Sequence, residues 1–129
     1  MVIDSSALLA IILGEPEAAG FLLTIKTASV RRLSAASYLE TGMVLRRDRT
    51  GMRQKLFEEL IVTLRLTIAP VTEQQARAAL EAFGIYGKGS GNRAGLNFGD
   101  CFSYALAKIC GEPLLFKGND FSKTDIQVA

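Results

Sequence analysis

Hydrophobic positions come in short blocks whose period changes several times along the chain. Met1 to Ile3 is an apolar run that stops at Asp4-Ser5-Ser6, after which Ala7, Leu8, Ile11 and Ile12 resume at helical spacing. The pattern predicts a buried strand whose carboxyl end delivers Asp4, then a helix capped by Ser5 or Ser6. Pro16 suits the first turn of a second helix running to about Lys26, with Phe21, Leu22 and Ile25 inward. Arg32 to Ala35 reads as a short strand, and Ser37 to Leu45 as a helix striped by Leu39, Met43 and Val44. Gly51 interrupts the pattern, and Met52 to Leu64 is a further amphipathic helix through Leu56, Phe57, Leu60 and Leu64.

Leu66 to Val71 predicts a strand that Pro70 keeps short or near a sheet edge. Thr72 with Gln75 signals a capping box for a helix to roughly Phe83. Five glycines between Gly84 and Gly95 mark a long surface loop, which lacks the sequence of a phosphate cradle. Asn97 caps a helix from about Phe98 to Ile109, Gly111 stops it, and Pro113 to Phe116 is a compact strand. A turn at Gly118 to Phe121 and a last edge segment, Thr124 to Val128, follow. Strands alternating with helices predict an α/β fold: a mainly parallel central sheet flanked by helices. A length of 129 residues predicts one domain spanning 1–129.

Composition narrows the chemistry. With 49% hydrophobic residues the chain can build a core, and 15 Lys and Arg against 13 Asp and Glu name no partner by charge alone. The apolar stretch Ala7 to Leu13 is too short to span a membrane and follows no positively charged segment. Neither a transmembrane helix nor a signal peptide is expected, and the protein is expected to be cytoplasmic. Cys101 and Cys110, on one helix, would lie on opposite faces at about 100° per residue, against a disulfide or shared metal. Histidine is absent. That excludes Ser-His-Asp and Cys-His nucleophile systems and histidine-ligated zinc, leaving carboxylates, lysines, hydroxyls or an oxygen-held metal.

Four carboxylates stand where a solvated surface charge is not expected. Asp4 ends an apolar strand, Glu40 lies among Tyr38, Leu39 and Met43, Asp100 opens a helix, and Asp120 follows a strand. In a parallel sheet, strand carboxyl ends and the helix starts beside them meet along one edge, where ligands bind. Each has a plainer reading: Asp4 as a helix cap, Asp100 as a complement to a helix dipole, Asp120 as a turn residue, Glu40 as a half-buried hydrogen-bonded acid. Gathered together, they raise one another's pKa unless a counter-charge intervenes. Carboxylate oxygens without imidazole or thiolate suit Mg²⁺, with Mn²⁺ as a substitute, and such an ion suits phosphodiester hydrolysis.

Four segments in order carry a resemblance. Val2-Ile3-Asp4-Ser5-Ser6-Ala7-Leu8 with Gly14-Glu15-Pro16-Glu17, then Ser34 to Glu40, then Leu96 to Ala105, then Leu114 to Phe121, resemble the motifs of PIN-domain nucleases across the whole chain. The likeness is closest to the VapC-like toxins of bacterial type II toxin–antitoxin pairs. It implies a PIN-like fold and a metal-dependent endoribonuclease acting as a toxin. It also implies an acidic cluster of Asp4, Glu40, Asp100 and Asp120, with Asp4 and Asp100 as direct Mg²⁺ ligands and Glu40 binding directly or through water. Ser5 matches a hydroxyl that supports the first aspartate or a metal-bound water. Asn119 stands where relatives often carry a second acid of the turn, leaving Asp120 and Asp125 to contribute.

The resemblance further implies an RNA substrate, a homodimer, and a cognate antitoxin lying across the active-site groove. Leu9, Ile12, Phe21 and Leu22 on the first helices would supply a partner groove or serve the protein's own core. Setting the four acids aside from the 13 leaves nine against 15 basic residues, an excess suited to a polyanion. Candidates for RNA backbone contacts are Arg46 and Arg47, with Arg31, Arg32, Arg49, Arg53, Lys88 and Arg93 also available, while Lys117 would contact phosphate or pair with an acid. The alternatives are a metal-dependent DNA nuclease or phosphatase using the same acids, or a catalytically inactive nucleic-acid-binding module.

Overall fold

Four short strands, β1 (Val2–Ile3), β2 (Arg32–Ser34), β3 (Thr67–Ala69) and β4 (Leu114–Leu115), form one sheet in the order β3-β2-β1-β4. Every pairing is parallel. The structure, a computed structural model, describes all residues from Met1 to Ala129. Six helices flank the sheet: α1 (Ser5–Ile12), α2 (Ala18–Thr27), α3 (Ala35–Leu45), α4 (Met52–Thr63), α5 (Glu73–Tyr86) and α6 (Phe98–Cys110). The expected α/β fold with a parallel central sheet is what the chain adopts.

Strand alternation divides the core in two. Ile3 and Leu115 turn to one side, where they meet Leu8, Ile25, Leu45 and Phe57 from the first four helices. Val2 and Leu114 turn to the other, where they meet Ala79, Ala82, Leu106 and Phe121. A two-residue strand can hold its place in the sheet because both of its faces are buried. Removing a side chain such as Ile3, Leu8 or Phe57 from water contributes about 1.5–3 kcal/mol each.

Local signals set most helix ends. Thr72 Oγ1 accepts from the Gln75 N–H at 3.2 Å and starts α5. Asn97 and Asp100 form a reciprocal capping box at α6, and Gly111, at φ 61°, ends that helix in the left-handed conformation an L side chain resists. β3 lies at the sheet edge, which suits Pro70 just beyond it. Neither cysteine is disulfide-bonded; Cys101 is buried and Cys110 exposed. No helix is long and apolar enough to cross a membrane.

Four expectations need correction. α2 starts at Ala18 rather than Pro16, because Glu15 to Glu17 are spent on the turn out of α1. α5 runs through Gly84 to Tyr86, held by packing against α6, and the glycine-rich loop is tied at its neck by Lys88 N–H to Leu96 O (3.0 Å) and Leu96 N–H to Tyr86 O (2.9 Å). The last segment passes through a 3-10 turn, Phe121–Lys123, and touches the sheet only at a bridge between Val128 and Leu114.

The largest departure is on α3. Its buried face is Ser37, Thr41 and Leu45, whereas Leu39 and Met43 are 61% and 64% exposed. The face turned toward α1 and α6 carries hydroxyls because their partners there are polar, as the geometry below shows.

Candidate active site

The sheet order runs from β1 through β2 to β3 on one side and to β4 on the other, so the strand direction of travel switches beside β1. Ligands of open parallel sheets bind at such a point, beyond the strands' carboxyl ends. Asp4 stands there, at the end of β1, and it caps α1 in place of the expected Ser5 or Ser6, which lie inside the helix. Its Oδ2 accepts from the Ser6 N–H (2.9 Å) and the Ser6 hydroxyl (2.6 Å), and its Oδ1 accepts from the Ser103 hydroxyl (2.6 Å). At 2% exposure this carboxylate is fixed by three protein donors.

Glu40 projects from α3 toward the start of α6. Its Oε2 accepts from the Ser5 hydroxyl at 2.8 Å. The same carboxylate lies over Gly99, where a Cβ would come within 2.4 Å of Glu40 Oε1 and 2.8 Å of its carboxyl carbon. A side chain at position 99 would therefore push the Glu40 carboxylate out of its place. Asp100 follows, with its Oδ2 accepting from the Asn97 N–H at 2.7 Å within the capping box.

These acids sense one another. Burial pushes the Asp100 carboxyl up to about 6; the Asn97 N–H opposes the rise, while the charges of Asp4, Asp120 and Glu40 add to it. Asp120 lies in the exposed turn before Phe121–Lys123 and caps nothing with its side chain. Asn119 is exposed beside it, its carbonyl accepting from the Ser122 hydroxyl at 2.6 Å. Phe121, buried and 5.0 Å from Phe116 between ring centroids, anchors the turn.

Other expected site residues are committed elsewhere. Asp125 accepts from the Tyr104 hydroxyl at 2.7 Å and pairs with Lys108, which holds its carboxyl below the usual range. The charge of Asp120, by contrast, adds to the rise at Asp100. Lys117 takes the acid-pairing alternative: its Nζ meets Glu15 Oε2 at 2.7 Å and Glu17 Oε2 at 3.4 Å. Ser5 supports Glu40, not Asp4; the hydroxyl on the first aspartate belongs to Ser6, which in turn accepts the Lys117 N–H at 3.0 Å.

Leu9, Phe21 and Leu22 pack half-buried on the protein's own core, and Ile12 is buried in it. The open apolar surface lies instead beside Glu40, in a groove of about 720 Å³ lined by Leu39, Met43, Val71, Phe98 and Phe102. Arg47 lines that groove and also a charged concavity of about 840 Å³, where Arg53 and Lys55 stand with Asp48 and Glu59. Arg46 is exposed over a small hollow beside Tyr38 and Gln54.

The donor set is oxygen only, which suits a hard divalent cation, and the crowding of negative charge at Asp100 is what such a cation relieves. No trio of acids converges tightly enough to be a ready-made cage for an ion. The fit is thus one of donor chemistry and charge. The residues that sequence reasoning missed are Ser6, Gly99, Ser37 and Ser103. A signal for the last two was present: Ser37 precedes Glu40 by three residues and Ser103 follows Asp100 by three, so each shares a helix face with its acid.

Comparison with known proteins agrees with this architecture. The sequence model of the PIN domain matches residues 1–127. Ribonuclease VapC28 from Mycobacterium tuberculosis is 51% identical over 129 residues, covering 100% of this chain and 97% of that protein. Ribonuclease VapC30 from the same species is 48% identical over 128 residues, covering 98% and 95%. Among solved structures, the sarcin–ricin-loop-cleaving toxin VapC20 of M. tuberculosis superposes with a TM-score of 0.79 at 17% identity, over 99% of this chain and 97% of that one. A toxin–antitoxin complex from Klebsiella pneumoniae gives 0.73 at 16% identity, over 99% and 95%. With four acids at the carboxyl edge of a parallel sheet and a match along nearly its whole length, this chain belongs to the PIN-domain family and is similar throughout to its VapC members.

Proposed function

We propose that the protein is a Mg²⁺-dependent endoribonuclease, with Mn²⁺ as substitute, acting in the cytoplasm as the toxin of a toxin–antitoxin pair. The observation that carries the reading is the geometry that sets Glu40 over Gly99, beside Asp100, with buried Asp4 at the end of β1, in a protein without histidine. Asp4, Glu40 and Asp100 would hold the cation, with Asp120 completing the acidic rim and Asn119 lending an amide oxygen in place of a second charge. The ion supplies Lewis acidity toward a phosphate oxygen and water.

The chain's own residues do the rest. Ser6 and Ser103 keep Asp4 oriented, Ser5 keeps Glu40 oriented, and the capping box fixes Asp100 at the start of α6. Arg47, which lines both the groove beside Glu40 and the neighbouring charged concavity, and the exposed Arg46 beside it would contact the RNA backbone. Lys117 serves the turn between α1 and α2 through Glu15 and Glu17 and is left out of substrate binding. Hydrolysis by this route leaves a 5′-phosphate and a 3′-hydroxyl. The apolar groove beside Glu40 supplies protein-binding surface for the antitoxin. Two VapC relatives named as ribonucleases and a homologous fold solved as a toxin–antitoxin complex support this reading.

The test compares a structured RNA, a DNA duplex and a small phosphate ester as substrates under Mg²⁺. RNA cleavage that Glu40→Gln and Asp100→Asn each abolish is the expected result. Cleavage of the duplex or the ester in preference to RNA would reassign the activity, and no hydrolysis of any of them would leave a binding module.

A further inference from the structure

We propose that Ser37 and Ser103 form a buried hydroxyl chain that positions the acidic cluster, Ser37 donating to Ser103 and Ser103 donating to Asp4. The direction follows from donor counting. An ionised carboxylate only accepts, so the single Ser103 hydroxyl proton is spent on Asp4 Oδ1 at 2.6 Å. The 3.0 Å contact between the Ser37 and Ser103 hydroxyls must then have Ser37 as its donor. Both serines are at most 1% exposed.

The placement gives the chain its purpose. Ser37 lies on α3 one turn before Glu40, and Ser103 lies on α6 one turn after Asp100. Their hydrogen bond therefore ties together the two helices that carry those acids and ends on the third acid, in β1's extension. Thr41 Oγ1 donates to the Ser37 carbonyl at 2.7 Å, which adds a further bond on the same buried face. Packing alone does not ask for hydroxyls here. Burying one costs free energy unless it finds a partner, and alanine would fill nearly the same volume. A hydroxyl pair that satisfied only itself would not need to terminate on a carboxylate.

The inference rests on Asp4, Glu40 and Asp100 acting as cation-holding acids. Mn²⁺ binding by titration calorimetry, melting temperature without metal, and RNA cleavage are measured for wild type, Ser37→Ala, Ser103→Ala and the double variant. Ser103→Ala is expected to weaken Mn²⁺ binding about tenfold, in the range found when partners of metal-binding groups are removed. It should lower kcat similarly with KM for RNA little changed. Ser37→Ala, which touches no acid, should weaken Mn²⁺ binding about threefold. The double variant should be no worse than Ser103→Ala, because both changes break one chain. Ser103→Cys, a weaker donor of similar size, should fall between wild type and Ser103→Ala.

Mn²⁺ affinity equal to wild type in both alanine variants would overturn the proposal, whatever their melting temperatures. Should Ser103→Ala not fold, Ser37→Ala and Ser103→Cys decide by the same measurement. A wild-type protein that takes up no Mn²⁺ would remove the metal reading itself and this inference with it. That result is distinct from normal uptake that the serine variants leave untouched.

Discussion

Asp4 and Asp120 both follow strands of one parallel sheet, yet the protein treats them in opposite ways. Asp4 is buried and held by three donors, two from Ser6 and one from Ser103. Asp120 is exposed and caps nothing, its turn secured from below by Phe121. Both nevertheless act on Asp100 through their charge. A carboxylate fixed by three hydrogen bonds keeps one orientation before any ligand arrives, whereas one on an exposed turn adapts afterwards. The site thus has a rigid floor at Asp4, an adjustable rim at Asn119-Asp120, and between them Glu40, held by the Ser5 hydroxyl alone. Changes to the floor should disturb folding and activity together, and changes to the rim should affect activity alone.

The sharpest contrast should come from amides at the two positions. Asp4→Asn keeps an oxygen for the two Ser6 donors but turns an NH₂ toward the Ser103 hydroxyl, which must then reverse its bond. It is expected to cost about 1–3 kcal/mol of stability and roughly 10²–10³-fold in RNA cleavage, read by urea unfolding and single-turnover kinetics. Asp120→Asn is expected to leave the urea midpoint unchanged and to slow cleavage by about tenfold. Equal losses of stability at both positions would erase the distinction.

Gly99→Ala tests the placement of Glu40 without replacing an acid. The new Cβ displaces the flexible end of Glu40 rather than backbone. Cleavage should therefore fall by roughly 10²-fold, as for an ångström-scale misplacement, while the melting temperature stays close to that of wild type. A stable Gly99→Ala protein with full activity would show that the placement of Glu40 is not needed.

The smallest expected effect is a pH dependence. Asp100 is raised from the ordinary 3.8 to about 6, so between those values the folded protein binds more protons there than the unfolded chain. Its contribution to stability is present below about pH 4 and is lost as pH rises through 6. After allowance for its partial solvent contact, the loss is about 1–2 kcal/mol. Metal-free Asp100→Asn should accordingly be about 1–2 kcal/mol more stable than wild type at pH 7 and show a flatter profile between pH 4 and 6. Urea titrations at several pH values measure this. A variant less stable than wild type at pH 7 would mean that the capping role of Asp100 outweighs the repulsion.

Much of the fold was legible because its signals are local. The caps at Thr72 and Asn97, the stop at Gly111 and the strand-ending Asp4 each depend on residues a few positions away. Elements governed by distant neighbours were read less well. Leu39 and Met43 formed the obvious stripe of α3, but the helix turns Ser37, Thr41 and Leu45 inward instead, because α6 offers Ser103 as a partner. α5 passes Gly84 because Ala79 and Ala82 pack in the core formed with α6, and that packing outweighs glycine's weak helix preference.

The amino-acid sequence by itself determined the alternation of strands and helices, the absence of histidine and hence an oxygen-only donor set, and the placing of acids beside strand ends. Tertiary structure alone decided which hydroxyl serves which carboxylate, that Lys117 and Asp125 are committed to other partners, and that the Glu40 carboxylate lies over Gly99. The physical reason is the range of the forces involved. Periodicity and capping act over one or two helical turns, whereas the bonds from Ser103 to Asp4 and from Ser5 to Glu40 join residues 99 and 35 positions apart.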